Sequence, residues 1–315
     1  MTLTELRYIV TLAQEHHFGR AAERCFVSQP TLSVAVKKLE AELGIALFER
    51  NKSRVELTPV GQQVVDQAQR VLREAKQIEE LAKSGRDPLT SPLRLGAIYT
   101  IAPYLFPQLI PRLRQMAPQM PIYLEESYTE TLRSKLCNGE LDAIVIALPF
   151  EAPDILVRAL YDEPFVALLP SNHPWSTRAS IDAAELDQIP LLMLGEGHCF
   201  RDQLLEACSG LGNSSPNARP SGRQVTEGSS LETIRHMVAS GLGSTALPLS
   251  AIDPEQNSSL VTAVPFSQPV PKRTLALAWR ASFTRPKAID ILIDAIRPCA
   301  VSRFEPPPKT SRRDD

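Results

Sequence analysis

The stretch Phe18-Gly-Arg-Ala-Ala-Glu-Arg-Cys25-Phe-Val-Ser28-Gln29-Pro30-Thr31-Leu32-Ser33-Val-Ala-Val-Lys37-Lys38-Leu39-Glu decides the reading of the N-terminal part of this chain. Phe18, Ala21, Ala22 and Cys25 suit a short helix. Ser28 can cap a second helix, with Pro30 tolerated in its first turn. Leu32, Val36, Leu39 and Leu43 form its apolar stripe, and Gly44 ends it. Two helices joined by so tight a turn make a helix-turn-helix, whose second helix enters a DNA groove. The stripe turns Gln29, Thr31, Ser33, Val34 and Lys37 outward. Gln and Thr side chains read base edges, while Lys37 and Lys38 can neutralise phosphate.

Upstream, Leu3, Leu6, Ile9, Val10 and Ala13 predict a supporting helix. Downstream, residues 48–57 read as a short hairpin with a basic tip, where Arg50, Lys52 and Arg54 can act as a wing. The alternative is a helical subdomain with a solvated basic edge, because residues 1–60 hold only one more basic than acidic residue. Thr58-Pro59 caps a new helix. Val60, Val64, Ala68, Val71, Ala75, Ile78 and Leu81 extend its stripe too far to stay wet, so a partner helix is expected.

After the linker Gly85-Arg-Asp-Pro88-Leu-Thr-Ser-Pro92 the pattern becomes strands alternating with helices. Strands are expected at 93–98, 122–125, 141–148, 165–169, 191–194, 245–247 and 273–279, with helices at 103–116, 129–138, 230–240 and 287–296. Such alternation predicts parallel sheets with crossover helices, in two α/β lobes flanking a cleft. A chain of 315 residues is long enough for two or three domains. Its 43% hydrophobic and 22% charged content is that of a globular protein. The net charge of −2 gives no bulk attraction to nucleic acid or membrane, so DNA binding has to come from a local surface. The N-terminus shows no signal pattern and no apolar run reaches membrane length, so a cytoplasmic protein is expected.

The segment Gly195-Glu-Gly-His198-Cys199-Phe-Arg201-Asp-Gln places a cysteine between two cationic residue types, which favours the thiolate that attacks peroxide. Cys208, nine residues on, is a candidate to resolve the oxidised sulfur. A helix over this segment would hold the two Cα atoms about 13 Å apart. A disulfide needs about 4.4–6.8 Å. Bond formation would therefore require local refolding. Cys25, Cys137 and Cys299 read as buried or bystander thiols, and no cysteine or histidine spacing suggests a metal or cofactor.

Residues 1–85 resemble the N-terminal module of LysR-type transcriptional regulators. The matching runs are Leu6-Arg-Tyr-Ile-Val, Phe18 to Cys25, Val27-Ser-Gln-Pro-Thr-Leu-Ser, Lys38-Leu-Glu, Glu42-Leu-Gly, Leu47-Phe-Glu-Arg and Leu57-Thr-Pro-Val-Gly. The redox segment resembles that of the hydrogen-peroxide sensors of the OxyR branch, as do Gly96 to Pro107, Leu231 to Gly243 and Ala278 to Phe283. The resemblance implies a mixed α+β and α/β architecture. Its parts are a winged helix-turn-helix (1–58), a dimerisation linker helix (59–87), and a two-lobed effector domain like periplasmic binding proteins. Lobe I would take 88–162 with 268–302, lobe II 163–267, and a disordered tail 303–315. By motif matching, Cys199 is the residue oxidised by peroxide and Cys208 its disulfide partner, with Thr100, Thr129, His198 and Arg201 around the pocket. The winged helix would contact double-stranded promoter DNA through Ser28, Gln29, Pro30, Thr31, Ser33, Lys37, Arg50 and Arg54. A homodimer or homotetramer working with RNA polymerase is implied. The alternatives are a regulator answering a small carboxylate in the inter-lobe cleft, and a thiol peroxidase.

Overall fold

The computed structural model describes residues 1–50, 55–84, 89–207, 226–252 and 260–300. The chain divides into two compact units, Met1–Arg86 and Asp87–Asp315.

The first unit begins with α1 (Leu3–Glu15), started by a capping box in which Thr2 Oγ1 accepts from the Glu5 N–H and the Glu5 carboxylate accepts from the Thr2 N–H. Its buried stripe is Leu6, Ile9 and Leu12. The expected Leu3 is instead 46% exposed, because it lies in the first turn and off that stripe. Helix α2 (Phe18–Arg24) is capped by the His17 ring. Helix α3 (Gln29–Leu43) starts where Ser28 accepts from the Thr31 N–H and stops at Gly44, whose φ of 69° a side chain would strain. Leu32, Val36 and Leu39 pack against α1 and α2, whereas Leu43 stays largely exposed. Strands β1 (Phe48–Arg50) and β2 (Val55–Leu57) form the antiparallel wing. Glu40 holds the wing's base by accepting from the Leu47 and Phe48 N–H groups.

Helix α4 (Pro59–Ser84) has 26 residues, about 39 Å at the α-helical rise. Thr58 Oγ1 caps it by accepting from the Gly61 N–H. Val65 and Ala68 are its buried residues, while Val60 and Ile78 are 48% and 69% exposed. The buried stripe of the first half of α4 is therefore rotated from the one read in the sequence, and Ile78 stands exposed beyond it.

The second unit is built on a seven-stranded mixed sheet, ordered β10-β6-β11-β5-β3-β4 with β9 also on β6. The strands are β3 (Leu93–Ile98), β4 (Ile122–Ser127), β5 (Ala143–Ala147), β6 (Ile155–Pro170), β9 (Thr245–Pro248), β10 (Val261–Pro265) and β11 (Lys272–Arg280). Helices α5 (Ala102–Met116), α6 (Thr129–Cys137) and α9 (Pro286–Ile296) cover the β3–β5 end and make one core with it. A second core gathers around Phe165–Leu169 of β6. It includes residues of β7 (Leu192–Leu194), α7 (Cys199–Ala207) and α8 (Leu231–Ala239), and β8 (Thr226–Gly228) pairs with β7.

Parallel pairing, as expected, joins β3 to β4 and β5, and β7 to β8. The rest is antiparallel: β6 pairs with β9, β10 and β11, and β11 with β5. The sequence reading also missed the first ten residues of β6, where Arg158 interrupts the apolar residues and half of the side chains are exposed. This 16-residue strand serves both cores: Ile155, Leu160 and Tyr161 pack on the first, Phe165 to Leu169 in the second.

Candidate functional site

Two surfaces carry the predicted residues. On the first unit, Ser28, Gln29, Pro30, Thr31 and Lys37 are exposed along the N-terminal half of α3, and Ser33 is half-buried. Val34 is 66% exposed beside them. Lys38, read as able to neutralise phosphate, is exposed and bonds to Glu5 at 3.1 Å, which holds the Glu5 carboxyl below its ordinary range. Arg50 ends β1, and Lys52 and Arg54 lie outside the described residues.

On the second unit, β3 and β4 run parallel in the register Ile98 to Ser127. Each strand continues into a Tyr-Thr pair, Tyr99-Thr100 and Tyr128-Thr129. The register sets these pairs side by side at the carboxyl ends of parallel strands, where α/β sheets bind ligands. The loop after β7 brings Gly197, His198 and Cys199 against them. Together with Ile98 and Ser127 these residues line one cavity of about 170 Å³, open mouth included. Thr100, Ser127, Thr129, His198 and Cys199 thus gather at one small cleft that opens to solvent.

Cys199 is the first residue of α7, a helix end that favours negative charge. It packs partly on the first core, while the next residues of α7, Phe200 and Leu204, are buried in the second. Phe200 meets Phe165 edge-on at 5.1 Å, with the Arg273 guanidinium 5.5 Å from its ring centre. Gln203 donates to the Leu148 carbonyl at 3.0 Å. Helix α7 therefore lies across the seam between the cores. The segment read as potentially helical is helical from Cys199 to Ala207, while Cys208 lies outside the described residues.

The cationic surroundings differ from those expected. The Arg201 guanidinium donates to the Leu194 carbonyl and to Glu227, and Arg201 is not among the residues lining the cavity. His198 is 8% exposed, and burial holds its ring below the ordinary histidine range, towards the neutral form. Behind the lining residue Thr100 lies a buried cation that the sequence reading missed, Arg273. It donates to Thr100 Oγ1 at 2.8 Å and to the Thr100 carbonyl at 2.9 Å, and pairs with Glu163 at 2.7 Å. Arg273 and Glu163 are 0% and 1% exposed. Glu163 also accepts from the Ser250 N–H. Its only sequence signal was the awkwardness of a charged residue opening an apolar strand.

Cys25, Cys137, Cys199 and Cys299 are free thiols, and burial pushes the Cys299 thiol up. Among the described residues, no cluster of His, Cys, Asp or Glu is placed to hold a metal. No helix among them is long and apolar enough to cross a membrane.

Two family descriptions match this chain: the bacterial regulatory helix-turn-helix protein of the lysR family over residues 3–62, and the LysR substrate binding domain over 86–299. The DNA-binding transcriptional dual regulator OxyR of Escherichia coli K12 is 40% identical over 297 residues, covering 94% of this chain and 95% of that one. The solved full-length OxyR C199D from Pseudomonas aeruginosa superposes with a TM-score of 0.74 at 60% identity, covering 96% of this chain and all of that one. A hydrogen-peroxide-bound OxyR variant from Corynebacterium glutamicum gives a TM-score of 0.63 at 34% identity, covering 95% and 92%. The helix-turn-helix, the α/β unit and these likenesses lead to one conclusion: the chain belongs to the LysR family of transcriptional regulators, in its OxyR group.

Proposed function

We propose that this regulator reads peroxide through Cys199 and transmits the result to its DNA-binding helices. It binds DNA and senses hydrogen peroxide as a redox-responsive transcriptional regulator, and is not an enzyme. The Cys199 sulfur attacks one peroxide oxygen. The O–O bond breaks, the electron pair leaves on the second oxygen, and that oxygen takes a proton and departs as water. The sulfenic acid at Cys199 then reacts with the Cys208 thiol, forming a disulfide and releasing a second water. The observation that carries this reading is the place of Cys199: in a small hydroxyl-lined cavity, at the first residue of a helix anchored in the other core. A straight helix over nine residues sets its ends about 13 Å apart, so the disulfide and α7 exclude one another.

Thr100, Thr129 and His198 orient the peroxide in this reading, and Arg201 holds α7 to β8 through Glu227 instead of touching the peroxide. The proposed divisions are a DNA-binding domain at 1–58, a linker at 59–87, lobes at 88–162 with 268–302 and at 163–267, and a tail at 303–315. The exposed Ile78 on α4, with the apolar spacing that continues through this helix in the sequence, supports a homodimer through it, and we infer a tetramer working with RNA polymerase in the cytoplasm. DNA contacts are assigned to Ser28, Gln29, Pro30, Thr31, Ser33, Lys37, Arg50 and Arg54. The carboxylate-inducer alternative finds less support, because no guanidinium is among the residues lining the cavity, and Arg273, which bonds to Thr100 behind it, is already paired with Glu163.

The test is Cys199→Ser and Cys208→Ser, each assayed by footprinting on promoter DNA before and after peroxide. Both variants are expected to bind DNA and to lose the peroxide-dependent change in footprint. A footprint that still changes in Cys199→Ser would refute the assignment.

A further inference from the structure

Peroxides differ in what their second oxygen carries, and the rim of the Cys199 cavity bears on which of them enters. The two Tyr-Thr pairs divide their work. Thr100 is 2% exposed, whereas Tyr99 and Tyr128 are 39% and 42% exposed and stand at the cavity's edge. The tyrosine rings meet edge-on at 5.1 Å, and the His198 ring lies 4.9 Å from Tyr128 and 6.0 Å from Tyr99. Three rings in mutual contact close one side of the mouth. Gly197 backs the same ring: it has φ +92°, and a Cβ built there would lie 3.5 Å from two carbons of the Tyr128 ring. The tyrosine rings thus stand packed on His198 and on the Gly197 backbone beside Cys199.

We propose that Tyr99 and Tyr128 form a size-selecting rim that admits hydrogen peroxide to Cys199 and holds back alkyl hydroperoxides. This deepens the peroxide-sensing reading and rests on it. When the Cys199 sulfur attacks the terminal oxygen of an alkyl hydroperoxide, the S–O bond forms and the O–O bond breaks. The alkoxide takes a proton and leaves as the alcohol. The alkyl group stays on the departing oxygen throughout, so its bulk has to sit between the rings. Hydrogen peroxide carries only a hydrogen there.

The experiment uses the full-length reduced protein, mixed separately with hydrogen peroxide and with tert-butyl hydroperoxide. Cys199 oxidation is followed by mass spectrometry of the trapped sulfenic acid, and iodoacetamide reports general thiol exposure. Tyr128→Ala and, independently, Tyr99→Ala are expected to lower the ratio of the hydrogen-peroxide rate to the alkyl-hydroperoxide rate by about tenfold, through a faster alkyl reaction. Tyr128→Phe keeps the ring and is expected to keep the ratio. An unchanged ratio in both alanine variants overturns the rim. So does an alkyl rate that rises only in step with iodoacetamide labelling, or one that falls, which would make the rings a platform for the alkyl group. Wild-type protein whose Cys199 resists hydrogen peroxide sinks the sensing reading itself, an outcome distinct from a reactive wild type with an indifferent rim.

Discussion

Helices α3 and α7 both carry the chemistry of this protein, and they are held in opposite ways. Helix α3 is fixed largely by its own neighbourhood: Ser28 at its start, Gly44 at its end, and three buried residues packed on the two helices just before it. Helix α7 is fixed by residues far away in sequence: Phe165 and Arg273 around Phe200, Leu148 bonded to Gln203, and Glu227 bonded to Arg201. A reader of DNA has to keep one shape. In the proposed switch α7 gives way on oxidation, and a helix with that task is better held by several separate contacts that can be given up in turn, without tearing a local motif. The regulator thus pairs a self-contained reading helix with a borrowed sensing helix.

The comparison can be broken most severely at Arg273. Arg273→Met leaves the Glu163 carboxylate buried without its cation, and a loss of roughly 3 to 5 kcal/mol is expected by chemical denaturation. DNA affinity of whatever protein stays folded should be preserved, since nothing in the first unit depends on this pair. Next is Phe200→Ala, expected to cost about 3 kcal/mol through the lost aromatic packing. Hydrogen exchange should show the loss concentrated in residues 199–207, with α3 protected as in the wild type. Equal deprotection of α3 would show that the two helices are not independently held.

Ser28→Ala addresses the other helix and is expected to cost about 1 kcal/mol. The loss should fall on the DNA-binding unit, while the rate of Cys199 oxidation remains that of the wild type. The smallest effect concerns His198. Burial holds its folded pKa below the unfolded value, so the neutral ring costs no stability above about pH 6.5. As pH falls through that value the unfolded chain takes up a proton that the folded chain refuses, and stability declines. His198→Asn should flatten this part of the stability profile between about pH 7 and pH 5. An unchanged profile would show that His198 does not titrate in this way.

The two helices also differ in how far the sequence disclosed them. Helix α3 could be read nearly residue by residue, because its caps and its stripe are local and each acts within a turn or two. Helix α7 was anticipated as a cysteine-bearing segment, yet its anchors were not. Nothing in Phe200 names Phe165, and nothing in Cys199 names Tyr128. Thr100 and Thr129 were assigned through resemblance, and the physical reason for their meeting is the parallel register of β3 and β4, which appears only when the strands pair. The repeated Tyr-Thr at the ends of two expected strands was the one local hint. Proximity in sequence does not give the partners of His198 and Arg201. Burial holds the His198 ring toward neutrality, the Arg201 guanidinium bonds to Glu227, and the buried cation bonded to Thr100 comes from the far end of the chain. Strand directions beyond β5, and the first ten residues of β6, were missed for a related reason. Antiparallel returns leave no mark on periodicity, and half-exposed strands leave a weak one.

Strand β6 has a mechanical consequence. Its 16 residues run unbroken from one core into the other, and β11 flanks the first part through a register shift between Leu275 and Ala276. Two bodies joined by loose chain can swing apart like doors. Two bodies sharing a hydrogen-bonded strand resist swinging and yield to torsion, and an irregularity in the ladder is where added twist collects. With α7 packed across the seam, the loss of that helix is expected to be felt as a small rotation centred on this irregularity, and not as an opening.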